Sequence, residues 1–211
     1  KGVSHQDYHA DAFEGPPRLS RSIAVRLLQQ SPLHAWAAHP KLGGQPVEEP
    51  EEDAQLQARL DTGSLLHMLL LGAGVAVAVV EHDSWRTNAA KDARELARSN
   101  GLLPVLAGKY YAAQATVKAI RESLAAYGIQ LGAYEPEVTG LWEAEGVACK
   151  SRQDLLSLAL GEILDLKVVD RINLRAFKAS ADRYGLDVQH AAYVEGVEAA
   201  KPALAGRVSL E

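Results

Sequence analysis

Asp154 is followed eleven residues later by Asp165, and Asp165 two residues later by Lys167. Two carboxylates can hold a hard divalent cation through oxygen, and a lysine beside them can orient an attacking water or steady the charge building on a pentacovalent phosphorus. That is the equipment of Mg²⁺-dependent phosphodiester hydrolysis. An Asp-x-Lys alone carries little weight, because surface salt pairs produce it often. Its weight comes from other polar residues that stand where apolar ones are expected. His67 interrupts the nearly continuous apolar run at 63–71, Glu137 opens a strand pattern, and Asp154 sits inside Gln153-Asp154-Leu155-Leu156. A buried carboxylate without a partner is costly, and a cation removes the cost. Gln189 and Tyr193, four residues apart, share one face of a helix.

The elements that must position these groups are legible in the pattern. Ser20 or Ser22 can cap a helix reaching about Gln30, and Ser31-Pro32 can open a second running through Trp36. Residues 53–71 read as a helix whose second half, 63–71, is apolar on nearly every side, which predicts burial and places His67 inside. Residues 75–80 read as a strand, 87–100 as a charged amphipathic helix stopped by Gly101, and 105–127 as a long helix stopped by Gly128. The period then shortens to two. Residues 138–142, 147–156 and 162–169 predict an antiparallel meander with Gly146 and Gly161 in its turns. In the third of these strands Asp165 and Lys167 would share a face, with Leu164 and Leu166 on the other. Residues 174–184 and 187–200 read as two closing helices, and 1–17 as irregular chain. The class is therefore α+β (α/β), a small mixed sheet flanked by helices. We read one domain over 1–211, with a helical and loop segment at 1–52 and a core at 53–200.

Composition narrows the functions. The 211 residues, 47% hydrophobic, suffice for one sizeable core. The apolar run at 72–80 is too short to span a bilayer, which needs about 18 residues, so no membrane role is expected. A single cysteine, Cys149, excludes an intramolecular disulfide framework and a cysteine-based zinc site. The net charge of −5 argues against coating nucleic acid by bulk electrostatics, but not against a nuclease with acidic metal ligands. Glu48, Glu49, Glu51, Glu52 and Asp53 form an acidic run expected to be solvated. No glycine-rich phosphate loop is present, so no ATP site is expected. The closing Leu210-Glu211 reads as an expression tail, outside the fold.

Taken in order, these residues resemble the RecB, RecE and lambda-exonuclease branch of the PD-(D/E)XK nucleases, most closely its RecE-like phage and prophage exonucleases. The branch carries G-x-x-x-H, then Glu, Asp, (D/E)-x-K and Q-x-x-x-Y, matched here by Gly63 to His67, Glu137, Asp154, Asp165-Leu166-Lys167 and Gln189 to Tyr193. Leu19-Ser20-Arg21-Ser22, Ser31-Pro32, His39-Pro40, Asp92-Ala93-Arg94 and the stretch from Gly101 to Pro104 also resemble this group, and the likeness covers about 8–200. Two departures stand out: Val168-Val169 follow the lysine where the family usually has Thr or Ser, and the chain ends soon after Gly206 where the family commonly adds strands.

The resemblance implies a PD-(D/E)XK core and metal ligands at His67, Asp154, Asp165 and the backbone carbonyl of Leu166. It implies a second metal or its water at Glu137, with Glu135 and Glu143 as rivals for that role. Lys167 would act on the nucleophilic water, and Gln189 and Tyr193 would orient the site and touch the DNA backbone. Mg²⁺ would be the cofactor, and a histidine nitrogen would let Mn²⁺ substitute. The implied activity is degradation of one strand of linear double-stranded DNA from its ends in phage recombination. A single-strand annealing recombinase would be the partner, the assembly a homo-oligomeric ring and the setting the bacterial host cytosol. The local basic channel expected for DNA would use Lys150, Arg152, Arg171, Arg175 and Lys178. The alternatives are another PD-(D/E)XK endonuclease, an iron–sulfur end-trimming nuclease (which the lone cysteine disfavours), or a non-catalytic DNA-binding module.

Overall fold

The structure is a computed structural model that describes residues 2–42, 54–169 and 173–210, with the side chains of 54–60 excepted. The acidic run at 48–53 and Arg171 lie outside the described residues. In chain order the elements are α1 (His5–His9), α2 (Arg21–Gln29), α3 (Pro32–Ala38), α4 (Ala54–Leu71), β1 (Val77–Val80), α5 (Asn88–Ser99) and β2 (Leu103–Leu106). They continue with α6 (Ala107–Ala126), β3 (Glu135–Ala144), β4 (Val147–Ser157), β5 (Glu162–Leu164), α7 (Leu174–Tyr184), α8 (Leu186–Ala200) and β6 (Ser209–Leu210). Mixed helices and small sheets of this kind make the α+β class the observed one. The chain forms two compact units, one of Lys1–Glu51 with Glu137–Glu211 and the other Glu52–Pro136.

The second unit is built on local signals. Thr87 caps α5 by accepting the amide of Ala90 at 3.2 Å. β1 and β2 pair in parallel, Val77 opposite Leu103 and Val80 opposite Leu106. Leu65 of α4, Leu103, Val105 and Ala113 of α6 form its buried core. Two expectations change here. Residues 103–106 are a strand, not the start of the long helix. Pro104 fits it because a two-stranded sheet leaves each strand an outer edge where no amide is needed. His67 is only half-buried, so α4 is not enclosed on every side.

The first unit carries a four-stranded sheet in the order β3-β4-β5-β6. β3 and β4 are joined through Glu145 and Gly146, at φ 49° and 80°. Consecutive positive φ values make the turn whose twist matches paired strands. β5 runs antiparallel to β4, with Leu155 opposite Leu164 and Ser157 opposite Glu162. β6 pairs in parallel with β5, and Leu210 packs with Leu156, Ile163, Tyr193 and Val197. Leu210 is therefore part of the core, against the expectation that it lay outside the fold. The third strand also ends earlier than predicted, at Leu164, so Asp165 and Lys167 follow the strand. The chain before residue 17 holds α1, capped by Ser4, where irregular chain was expected.

Helix α8 packs on β4 and β6 of this sheet, and α2 and α7 pack on α8. Gly185 joins α7 to α8 at φ 58°, and a Cβ there would come 2.5 Å from Val25 Cγ2, so the junction needs glycine.

Candidate active site

β4 brings charge into the interior of the first unit. Lys150, Arg152 and Asp154 alternate along it, as period two requires of residues on one face. Asp154 lies where β4 nears its end. Its Oδ2 accepts the backbone amide of Leu166 at 2.8 Å, which ties the segment after β5 to β4. That bond places Asp165 and Lys167 beside Asp154 without help from a strand face.

Asp165 is held from two sides. Gln189 Nε2 of α8 donates to its Oδ1 at 2.7 Å, and Lys167 Nζ contacts its Oδ2. Gln189 and Tyr193 are both buried on the same face of α8, as their spacing predicts. Burial pushes the Asp165 carboxyl above its ordinary range; Lys167 pulls it back, and the nearby charge of Asp154 pushes it further up. Tyr193 is raised for the same reason, first by burial and then by Asp165 and Asp154. The site is therefore a pair of mutually repelling carboxylates in a partly buried place. Five expected residues come together in it: Asp154, Asp165, Lys167, Gln189 and Tyr193. Leu166 joins through its amide.

Glu137 is held differently. Its carboxylate pairs with the Arg152 guanidinium, both side chains being 12% exposed. Its backbone sits at φ 54°, a left-handed conformation that residues with a Cβ adopt only where surroundings enforce it. His67 belongs to the second unit, on α4. Among the described residues no three His, Cys, Asp or Glu side chains gather closely enough to hold a metal ion. Two oxygen-bearing carboxylates still fit a hard cation, because their repulsion is what such a charge relieves.

The expected basic channel is corrected in part. Lys150 is 4% exposed and sits 3.2 Å from Asp11 Oδ1, and Arg152 is committed to Glu137, so neither faces solvent. Burial lowers the Lys150 ammonium, and Asp11 opposes that shift. Arg175 and Lys178 on α7 remain exposed.

The pattern did not single out Asp11. It is fully buried at φ 51°, with Arg18, His39, Lys41 and Lys150 all within 3.9 Å of its carboxylate. An aspartate in an otherwise unpatterned stretch gave no periodic signal. Tyr8 and the pair His5 and His9 were also missed. The two histidines are four apart, which α1 turns into a pair of rings tilted at 45° with centroids 4.2 Å apart. That spacing was a readable signal.

A family model described as a PDDEXK-like domain of unknown function (DUF3799) matches residues 26–203. A comparison with curated proteins finds no match. Among solved structures, the crystal structure named "Putative exonuclease" from Eubacterium rectale matches with a TM-score of 0.53. It shares 16% identity, over 96% of this chain and 69% of that one, which shows a common fold. No described helix is long and apolar enough to cross a membrane.

Proposed function

Because the chain belongs to the PDDEXK-like family, within the PD-(D/E)XK nuclease superfamily, we propose that it is a metal-dependent nuclease, and specifically an exodeoxyribonuclease of the RecE-like kind. It would remove one strand of linear duplex DNA from an end. The observation that carries the reading is the Asp154, Asp165 and Lys167 cluster pinned by Gln189. PD-(D/E)XK nucleases generally use divalent ions. Asp154 and Asp165 would hold one, supplying Lewis acidity at the phosphate and at the attacking water. Mg²⁺ suits two carboxylates with several waters, and Mn²⁺ should substitute.

The chain's own residues do the rest. Gln189 fixes the rotation of the Asp165 carboxylate, leaving Oδ2 toward Lys167. The Lys167 ammonium orients the attacking water and offsets charge on the scissile phosphate. Tyr193 keeps its proton far into alkaline pH, so it is a donor at working pH. Arg175 and Lys178 are exposed cations available to a DNA backbone. A recombination role, a strand-annealing partner, a ring assembly and a place in the host cytosol complete the proposal. The test is linear duplex with Mg²⁺: loss of full-length strand, blocked by Asp165→Ala, is expected. No cleavage by the wild type, or equal cleavage by the variant, would overturn it. Nicking of closed circles would favour an endonuclease instead.

A further inference from the structure

Arg152 is the most firmly held cation of the polar stripe on β4. Its Nε contacts Glu137 Oε2, and its Nη1 donates to the carbonyls of Val3 at 3.3 Å and Ser4 at 3.2 Å. Its guanidinium also lies over the Tyr8 ring, 5.6 Å from the centroid. Two separate stretches of chain, the N-terminal segment and β3, thus fix this charge of β4. Arg152 stands two residues before Asp154, on the same alternation. Tyr8 links the two places, since its hydroxyl feels Arg152 while the Tyr193 hydroxyl feels Asp165, Asp154 and Tyr8.

The charges therefore divide into two groups. Asp154 and Asp165 repel each other, and Asp165 has Lys167 as its adjacent ammonium. Glu137 is matched by a planar guanidinium whose side chain is already immobilised. We propose that Arg152 is a built-in second cation of this site, so that the protein binds a single divalent ion, at Asp154 and Asp165, while Glu137 serves Arg152 rather than metal. The inference rests on the nuclease reading. A fixed guanidinium requires no loading step, and it sets the charge of the site independently of divalent-ion concentration.

The experiment is a Mn²⁺ titration of the full chain, followed by the electron paramagnetic resonance signal of free Mn²⁺. The wild type is expected to bind one ion. Arg152→Met should bind a second, because it removes the guanidinium from Glu137, and the double change Arg152→Met with Glu137→Gln should return to one. Glu137→Gln alone covers the case in which Arg152→Met fails to fold. It should leave both the count and the affinity of the wild type within about twofold. Two ions bound by the wild type, one ion bound by a folded Arg152→Met, or a tenfold loss of affinity in Glu137→Gln would each overturn the proposal. No ion bound by the wild type would overturn the nuclease reading as well, which separates the two failures.

Discussion

β2 and β4 are both buried strands, and they are buried for opposite reasons. β2 is Leu-Pro-Val-Leu with every residue buried. Nothing in it needs a partner, and the hydrophobic effect alone accounts for its place. β4 buries Lys150, Ser151 and Gln153, at 4%, 1% and 1% exposure. Lys150 is matched by Asp11 and the Tyr8 carbonyl, and Gln153 Nε2 donates to Ser151 Oγ at 2.7 Å, which leaves Gln153 Oε1 without a hydrogen-bond partner. Polar burial on this scale costs stability unless satisfied. A strand that carries it is positioning chemistry, whereas a strand like β2 is only filling a core.

The sharpest way to break that contrast is Asp165→Asn. The amide keeps a similar shape but loses the charge, so the proposed cleavage should fall by about 10³-fold or more, an effect of roughly 4 kcal/mol on the barrier. Thermal stability should be unchanged or higher, because a buried, repelled carboxylate is removed. A fall in melting temperature together with retained cleavage would erase the distinction between the two strands.

Asp11→Ala tests the other end of the β4 stripe. It leaves Lys150 charged and buried without its carboxylate, with His39, Lys41 and Arg18 also facing the gap. Breaking a buried pair from one side costs about 4 kcal/mol, readable by denaturant unfolding. Adding Lys150→Met should recover much of the loss. If the single change costs nothing, the N-terminal segment is not tied to β4 through this charge.

Leu103→Ala is the corresponding test of β2. The residue joins Leu65, Val105 and Ala113 in the second unit's core, and its truncation should cost about 3 kcal/mol through lost burial and a residual cavity. No compensating partner change should rescue it, unlike Asp11→Ala, because no paired charge is involved. Rescue by a polar substitution nearby would contradict the purely apolar reading of β2.

The same contrast explains what the sequence could and could not show. Gln189 and Tyr193 were legible because helical spacing is rigid: four residues apart means one face, and α8 delivers both to Asp165. Asp154 was legible because a carboxylate inside an apolar strand must have a reason. The facing of Asp165 and Lys167 came out right as a pairing but not by the predicted route, since β5 stops at Leu164 and the Leu166 amide does the positioning. The pairing of Glu137 with Arg152 was not legible. Its choice of partner depends on Arg152, fifteen positions away, and on carbonyls of the N-terminal segment. Asp11 was invisible for the same reason: three of its four neighbours come from two distant stretches of chain. β2 was missed because four apolar residues ahead of a helix have no period of their own, and Pro104 reads equally as a helix start.

The smallest expected effect concerns pH, and it probes the aromatic side of the β4 stripe. Tyr8 lies under Lys150 and Arg152, with ring-centroid distances of 4.9 Å and 5.6 Å. Burial raises its hydroxyl from 10.0 to about 12, against the opposing pull of Arg152. Between those two values the unfolded chain releases the proton while the folded protein keeps it. Stability that Tyr8 contributes is thus fully present below pH 10 and is lost as pH rises toward 12. The loss is on the order of 2 kcal/mol across the window. Lys150, whose ammonium is lowered, shifts the balance the other way just below its ordinary range, so the raw profile mixes the two. Comparing denaturant unfolding of the wild type with Tyr8→Phe from pH 9 to 12 isolates the tyrosine, since phenylalanine retains the ring beneath the cations and has no proton to lose. The wild type should lose its advantage, or fall below the variant, only above pH 10. Parallel profiles across the whole range would show that Tyr8 ionises as freely in the folded protein as in the unfolded chain, and that its hydroxyl is not enclosed by the charges of β4.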